Sequence, residues 1–290
     1  MKVFEVGETY DGVRIDAYIT SCIPEITRSI VHKLFDDKKV KVDGQLVKPS
    51  YKPKLGDKIS VDFDFSNQSP PDITPTVLYE DEDCIVIDKP AGLLTHSKGV
   101  FNPEATVASF VHKIAPNMTG ERSGIVHRLD RATSGVIICA KSKSALVWLQ
   151  KQFSLRKVKK TYIAIVYSNL NPKEAILDLP IERNPKQPQT FRVGHNGKNA
   201  ITSYKVIKSN STYDEVKLKP STGRTHQLRV HMQYLKHPIV GDPLYSHDKG
   251  RNSRMMLHAE SLEITLPNRV RKVFVSKLPG DFDKLMNESV

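Results

Sequence analysis

Little in this 290-residue chain could cross-link it. The three cysteines (Cys22, Cys84 and Cys139) are odd in number, widely spaced and form no Cys-x-x-Cys pair. That excludes a disulfide framework and a zinc ribbon, and fits a reducing cytoplasm. No run approaches the roughly 18 apolar residues of a membrane span. The opening Met1-Lys2-Val3-Phe4-Glu5 lacks the apolar stretch of a secretory signal. A cytoplasmic location without a membrane partner is expected. No phosphate-cradling glycine loop or metal-ligand cluster is evident in the sequence.

Acidic charge is also short, with 32 Asp and Glu against 44 Lys and Arg, a formal net charge of +12. Such an excess points to a polyanionic partner, and to nucleic acid before membrane, because no long basic amphipathic helix is evident. Residues 27–58 hold 9 basic side chains against 4 acidic, and residues 76–290 hold 33 against 20. One region therefore offers a local basic patch and the other a broad basic surface. A hydrophobic content of 39% is enough for a sizeable core, and the length suits two domains, or one large domain with an appendage.

Residues 1–65 read as a small α/β unit. Val13 to Ile19 has helical spacing, and Thr27 suits the N-cap of a second helix with Ile30, Val31, Leu34 and Phe35 on one face. Val40 to Val47 alternates around Asp43-Gly44, which predicts a hairpin, and Gly56-Asp57 leads into another alternating strand. Arg28, Lys33 and Lys41 lie where the helix and hairpin could meet RNA phosphates, or simply form a solvated charged face. Residues 66–75 contain three prolines and no basic residue, and read as a semi-extended linker. From residue 76 to 290, short strands alternate with isolated helices and few clean βαβ units. That predicts an α+β domain with a mixed, largely antiparallel sheet. Leu228, His231, Met232 and Leu235 place a helix after Gly223-Arg224-Thr225.

The chemistry concentrates in His127-Arg128-Leu129-Asp130-Arg131-Ala132-Thr133-Ser134-Gly135. Apolar runs on either side (Gly124-Ile125-Val126 and Gly135 to Ala140) predict two strands joined by a turn, with Asp130 on a strand end or loop. Flanking arginines favour its ionised form, which suits a nucleophile or base rather than a general acid. A lone Arg-x-Asp would read as a structural ion pair, but the nine-residue run is far more specific. It resembles the catalytic signature of the RluA/RluD-type large-subunit ribosomal RNA pseudouridine synthases. Other segments align in order: Asp88-Lys89-Pro90-Ala91-Gly92-Leu93, Lys160-Thr161-Tyr162-Ile163-Ala164, and Gly223 to His231 followed by Gly241-Asp242. The first departs from the family where His-Pro is usual, having Thr95-His96-Ser97. Residues 1–65 resemble the alpha-L module, the RNA-binding domain of the ribosomal small-subunit-protein-four type, through Arg14, Asp16, Tyr18, Thr27-Arg28-Ser29 and Val42-Asp43-Gly44.

The resemblance implies a pseudouridine synthase fold and isomerisation of uridine in RNA, ribosomal RNA before transfer RNA, by a monomer without cofactor. It implies that Asp130 attacks the ribose or removes a proton from it, that Tyr162 stacks on the flipped uracil, and that Arg128 fills the space the base leaves. Arg229 would pair with Asp130, and Leu228 would form an apolar wall. A ribosome-assembly factor that binds RNA without catalysis is the competing expectation. The histidines His127, His226, His231 and His258 lack typical ligand spacing, which leaves a metal-dependent RNA hydrolase as a third reading and structural histidine as the better account of His231. Ser134 with His127 lacks the Gly-x-Ser-x-Gly turn of a hydrolase.

Overall fold

A computed structural model of the chain describes residues 1–8, 12–24, 26–63, 71–97, 104–118, 122–167, 169–246 and 254–287. It divides into two compact units, one built mainly from Met1–Asp72 and one mainly from Ile73–His96, Val107–Thr119 and Ser123–Val290. Residues 64–70, which include the first half of the expected linker, lie outside the described residues.

In the first unit, β1 (Lys2–Glu5) precedes helices α1 (Ile15–Cys22) and α2 (Arg28–Asp36), then β2 (Val40–Val42), β3 (Gln45–Leu46) and β4 (Lys58–Val61). The strands form an antiparallel sheet in the order β1-β4-β2-β3. Asp43 and Gly44 both take positive φ, 47° and 79°, which is what a two-residue hairpin needs and what Asp-Gly supplies. Thr27 accepts from the Ile30 amide as the expected N-cap. Ile15, Tyr18 and Ile19 of α1 and Val31 and Leu34 of α2 pack on Val40, Val42, Ile59 and Val61 of the sheet. Sequence periodicity did not mark β1, which carries only four residues and an exposed edge.

The centre of this unit is charged. Asp16 is fully buried, and its carboxylate takes Arg14 through Nε and Nη2, Arg28 through Nε and Nη2, and His32 at 3.1 Å. Burial alone would raise its pKa, but the arginine hydrogen bonds and charges overcome that and hold it far below the usual carboxylate range. Arg28, on α2, is thereby tied to α1 through a carboxylate it shares with Arg14.

The second unit runs β5 (Thr76–Glu80), β6 (Cys84–Lys89), α3 (Val107–Ile114), β7 (Ser134–Ala140), α4 (Lys143–Ser154), β8 (Lys159–Tyr167), β9 (Glu174–Asp178), β10 (Ile181–Arg183) and β11 (Phe191–Val193). Then follow β12 (Ile201–Ser209), β13 (Tyr213–Pro220), α5 (Gln227–Tyr234), β14 (Leu257–Thr265), β15 (Arg271–Val275) and α6 (Gly280–Asn287). The main sheet has the order β5-β6-β7-β14-β8-β13-β12-β9, with β15 also on β14. This is the mixed, largely antiparallel α+β arrangement expected. Among the described strands of this sheet only β7 and β14 run parallel, and they meet at Ser134–His258 and Gly135–Ala259.

Every residue of β7 is buried. Val136, Ile138 and Ala140 face Ala145 and Leu149 of α4, while Ile137 and Cys139 face Val107 and Val111 of α3. A strand covered on both faces reads as a continuous apolar run, which is how it looks in the sequence. One expectation fails here: Gly124-Ile125-Val126 is not a strand. Gly124 turns with φ 77° and its carbonyl accepts the Ala140 amide, and Ile125 makes only an isolated bridge to Cys139. The chain then leaves the sheet for the loop that carries Asp130.

Because the folded-state pKa of Asp16 is depressed, its contribution to stability is present above about pH 4 and drains away as pH falls through the folded value. Asp16→Asn should remove that pH dependence and speed amide exchange across residues 15–34 by about tenfold or more at pH 7. Hydrogen exchange by mass spectrometry measures both, and unchanged protection would show that the shared carboxylate does not stabilise the helix pair.

Candidate active site

Asp130 sits just ahead of β7 in a loop tethered on both sides by the segment after β6. The hydroxyl of Thr95 donates to the Leu129 carbonyl at 2.7 Å and accepts the Leu129 amide at 3.2 Å. The Arg131 carbonyl accepts the Gly92 amide at 2.8 Å and the Lys89 ammonium at 3.2 Å. Lys89 is fully buried, and its ammonium also donates to the carbonyls of Pro90 and Leu93. Burial pushes it down to about 8, against a smaller opposing effect from Asp130. The residues before and after Asp130 are thus pinned to the Asp88 to Leu93 segment and its Thr95 continuation. Gly135 completes the arrangement: a Cβ there would collide with the Ala259 carbonyl, so only glycine lets β7 and β14 approach.

The Asp130 side chain meets α5. Arg229 donates from Nη1 to Asp130 Oδ2 at 2.9 Å, and from Nε and Nη2 to both oxygens of Asp242 at 2.7 and 2.8 Å. Asp242 is fully buried and Arg229 nearly so. Burial opposes the Arg229 charge, but Asp242 and then Asp130 outweigh it and raise the guanidinium above its ordinary value. Asp242 Oδ1 also accepts the Leu244 and Tyr245 amides, fixing the turn after Gly241. The Arg229 guanidinium lies 5.0 Å from the centroid of the Tyr245 ring. His226, at the N-cap of α5, brings Nε2 to 4.0 Å from Asp130 Oδ2.

Asp130, His226 and Arg229 line a cleft of about 570 Å³ with Arg128, Arg156, Lys160, Tyr162, Arg224 and Leu228. Its lining holds five cations (Arg128, Arg156, Lys160, Arg224, Arg229) and a single carboxylate, Asp130. Burial pushes Lys160 down to about 8, and its ammonium donates to the Thr222 carbonyl. Tyr162 stands two residues further along β8, on the same face. Burial, and then the charge of Asp130, raises its phenol well above the ordinary value, so at neutral pH it holds its proton. Leu228 is 6% exposed and packs in the core that Tyr162 borders.

The structure therefore brings Arg128, Asp130, Tyr162, Leu228 and Arg229 to one cleft. Arg28, Lys33 and Lys41 belong to the first unit. Lys33 and Lys41 are exposed there, while Arg28, half exposed, is committed to Asp16. The histidines are engaged one by one. His127 accepts the Ile138 amide and stacks on Phe153, and burial keeps it neutral, down to about 3. His231 bonds Thr202 and the Leu179 carbonyl; His258 bonds Ser134 and the Ser276 carbonyl. Among the described residues no three His, Cys, Asp or Glu side chains gather as metal ligands.

Lys89, Thr95 and Asp242 hold the site together, although the sequence motifs they stand in assign them no task. Their signal was present: a lysine inside an apolar strand, and an acid after glycine in the apolar stretch Ile239-Val240-Gly241. Each must find partners if buried. Asp242→Asn, which leaves Arg229 short of a buried counter-charge, should lower stability by about 3 kcal/mol. Asp130→Asn, at the open end of the same arginine, should lower it by under about 1 kcal/mol. Urea unfolding of both variants measures the difference, and equal losses would contradict this division.

The family model for RNA pseudouridylate synthases matches residues 83–234. Ribosomal large subunit pseudouridine synthase D of Borreliella burgdorferi is 37% identical over 300 residues, covering 97% of this chain and 90% of that protein. The protein of that name from Escherichia coli strain K12 is 34% identical over 245 residues, covering 83% and 74%. Among solved structures, human RNA pseudouridylate synthase domain containing 4 has a TM-score of 0.58 and 29% identity over 72% of this chain and 90% of that one. A basic cleft with one arginine-held carboxylate, on a chain this similar along its length, leaves one assignment: the chain belongs to the RNA pseudouridylate synthase family.

Proposed function

We propose that this isomerase acts on uridines of large-subunit ribosomal RNA, with Asp130 as the reacting carboxylate. The observation that carries the reading is the pairing of that single acid with Arg229 in a cleft whose other charged lining residues are all cations. Converting uridine to pseudouridine breaks the bond from ribose to the base nitrogen, turns the uracil and rejoins it through carbon 5. Nothing is oxidised and no group is imported. One ionised carboxylate is enough to begin, by attack on the ribose or by taking a proton from it. The chain's long similarity to proteins named for the ribosomal large subunit supports ribosomal RNA as the substrate.

The target base must leave its stack, which costs a few kcal/mol of unstacking. Arg128, exposed at the cleft, is suited to occupy the space it vacates. Tyr162 offers a ring for the flipped uracil and a phenol that keeps its proton. Leu228 closes the pocket wall, so the detached uracil turns in place rather than escaping. Residues 1–65 serve as an alpha-L RNA-binding domain, 66–75 as a linker and 76–290 as the catalytic domain. Lys33 and Lys41 supply phosphate contacts, Arg28 joins them through the half of its side chain left exposed beside Asp16, and the protein works as a monomer in the cytoplasm.

Ribosomal RNA carrying tritium at carbon 5 of uridine tests the central claim. The wild type should release tritium without added metal, and Asp130→Asn should lower the rate by about 10³-fold or more. Binding without release would favour an assembly factor, and metal-dependent strand scission a hydrolase. Deleting residues 1–65 should weaken RNA affinity and flatten its salt dependence while leaving turnover at saturating RNA within about threefold; equal turnover at low RNA concentration would remove the binding role from that segment.

A further inference from the structure

His226 occupies a backbone conformation that is uncommon outside glycine. Its φ of 57° at the N-cap of α5 is left-handed, a region glycine enters freely and other residues seldom, asparagine, aspartate and histidine most often among them. Its side chain makes no capping hydrogen bond that would explain the choice. An uncommon backbone conformation beside a reactive group is a reason to ask what its side chain does.

The ring is held from several sides. Nδ1 lies 2.9 Å from the Tyr245 hydroxyl, and the ring meets Phe191 and Tyr245 edge-on at 5.5 and 5.7 Å. The Tyr245 hydroxyl already accepts the Phe191 amide at 2.8 Å, and burial pushes its phenol up to about 12. It keeps its proton, and with its oxygen accepting the Phe191 amide its O–H is placed to donate a hydrogen bond to Nδ1. The ring proton therefore sits on Nε2, the nitrogen directed at Asp130. Asp130, Arg229, Asp242 and Arg128 are the charged groups around the ring, and burial keeps it neutral against the pull of Asp130.

Arg229 already holds Asp130 Oδ2, the same oxygen that faces His226 Nε2 at 4.0 Å. Among the described residues no side chain or amide is hydrogen-bonded to Oδ1. We propose that His226 is a positioning residue for Asp130: its Nε2–H closes on Oδ2 when RNA fills the cleft, and two donors on one oxygen then turn Oδ1 to the ribose. Such contacts are commonly long before substrate arrives and shorten in the complex. No proton changes hands at His226. The inference rests on Asp130 being the reacting carboxylate.

Three full-length variants test it by tritium release and RNA binding. His226→Asn suits the left-handed backbone but is too short to reach Oδ2, whereas the side-chain amide of His226→Gln reaches where Nε2 does. With near-ultraviolet circular dichroism unchanged, His226→Asn should lower kcat by about 10- to 100-fold with KM for RNA within about twofold. His226→Gln should recover most of the loss, and Tyr245→Phe, which frees the tautomer, should fall between. His226→Asn at the wild-type kcat, a loss confined to KM, or equal loss in the Asn and Gln variants overturns the positioning role. A wild type that releases no tritium overturns the underlying reading instead, so the two failures are told apart.

Discussion

Arg229 has one positive charge and answers two carboxylates of different kinds. Asp242 is fully buried and binds it through two parallel hydrogen bonds; Asp130 is partly open and takes the remaining Nη1. A guanidinium presents its donors in a fixed fork, so locking one edge on Asp242 fixes where the other edge points. The position of Asp130 Oδ2 follows from a pair formed in the core. Desolvating an arginine is expensive unless its partner is equally buried, and Asp242 meets that condition. The chain can thus hold an anion at the cleft without leaving it to solvent or to a flexible lysine.

That lock would be useless if the Asp130 loop could drift, and backbone tethers prevent it. Lys89 and Gly92 hold the Arg131 carbonyl, and Thr95 holds Leu129 through both its carbonyl and its amide. The loop is gripped next to its functional residue on each side, with no tether spending the Asp130 carboxylate itself. The parallel contact of β7 with β14, made possible by Gly135, sets the loop's exit. Rigid elements and short tethers define such a position better than a long loop could.

Much of this was legible in the chain. Asp43-Gly44 announced a hairpin, Thr27 a cap, and the unbroken run Val136 to Ala140 a strand. Asp130, Tyr162 and Arg229 stood in ordered motifs and converge in the cleft. What was not legible depends on long-range placement. Gly124 looked like the start of a strand, yet its positive φ and the Ala140 amide make it a turn. Arg28 looked like a free phosphate hand, and its link to Asp16 depends on how α1 and α2 pack. Lys89 and Asp242 could be marked as needing partners, but which partners they find is decided across the fold.

His226 is one of eight described non-glycine residues with positive φ, and the one whose side chain approaches Asp130. Where every local choice supports the fold, a residue's identity says little beyond stability; where one opposes it, something else retains it. Tyr245 links the two residues that face Asp130, because its ring lies over Arg229 and its hydroxyl fixes His226. Asp242 in turn fixes Tyr245 through the amide of that residue. A single buried acid thereby sets both donors directed at Oδ2, one through a salt bridge and one through a tyrosine. The apparent surplus of cations in the cleft is then divided by task. Arg229 is consumed internally, and Arg128, Arg156 and Arg224 remain to meet a polyanion, as the net charge of the chain first suggested.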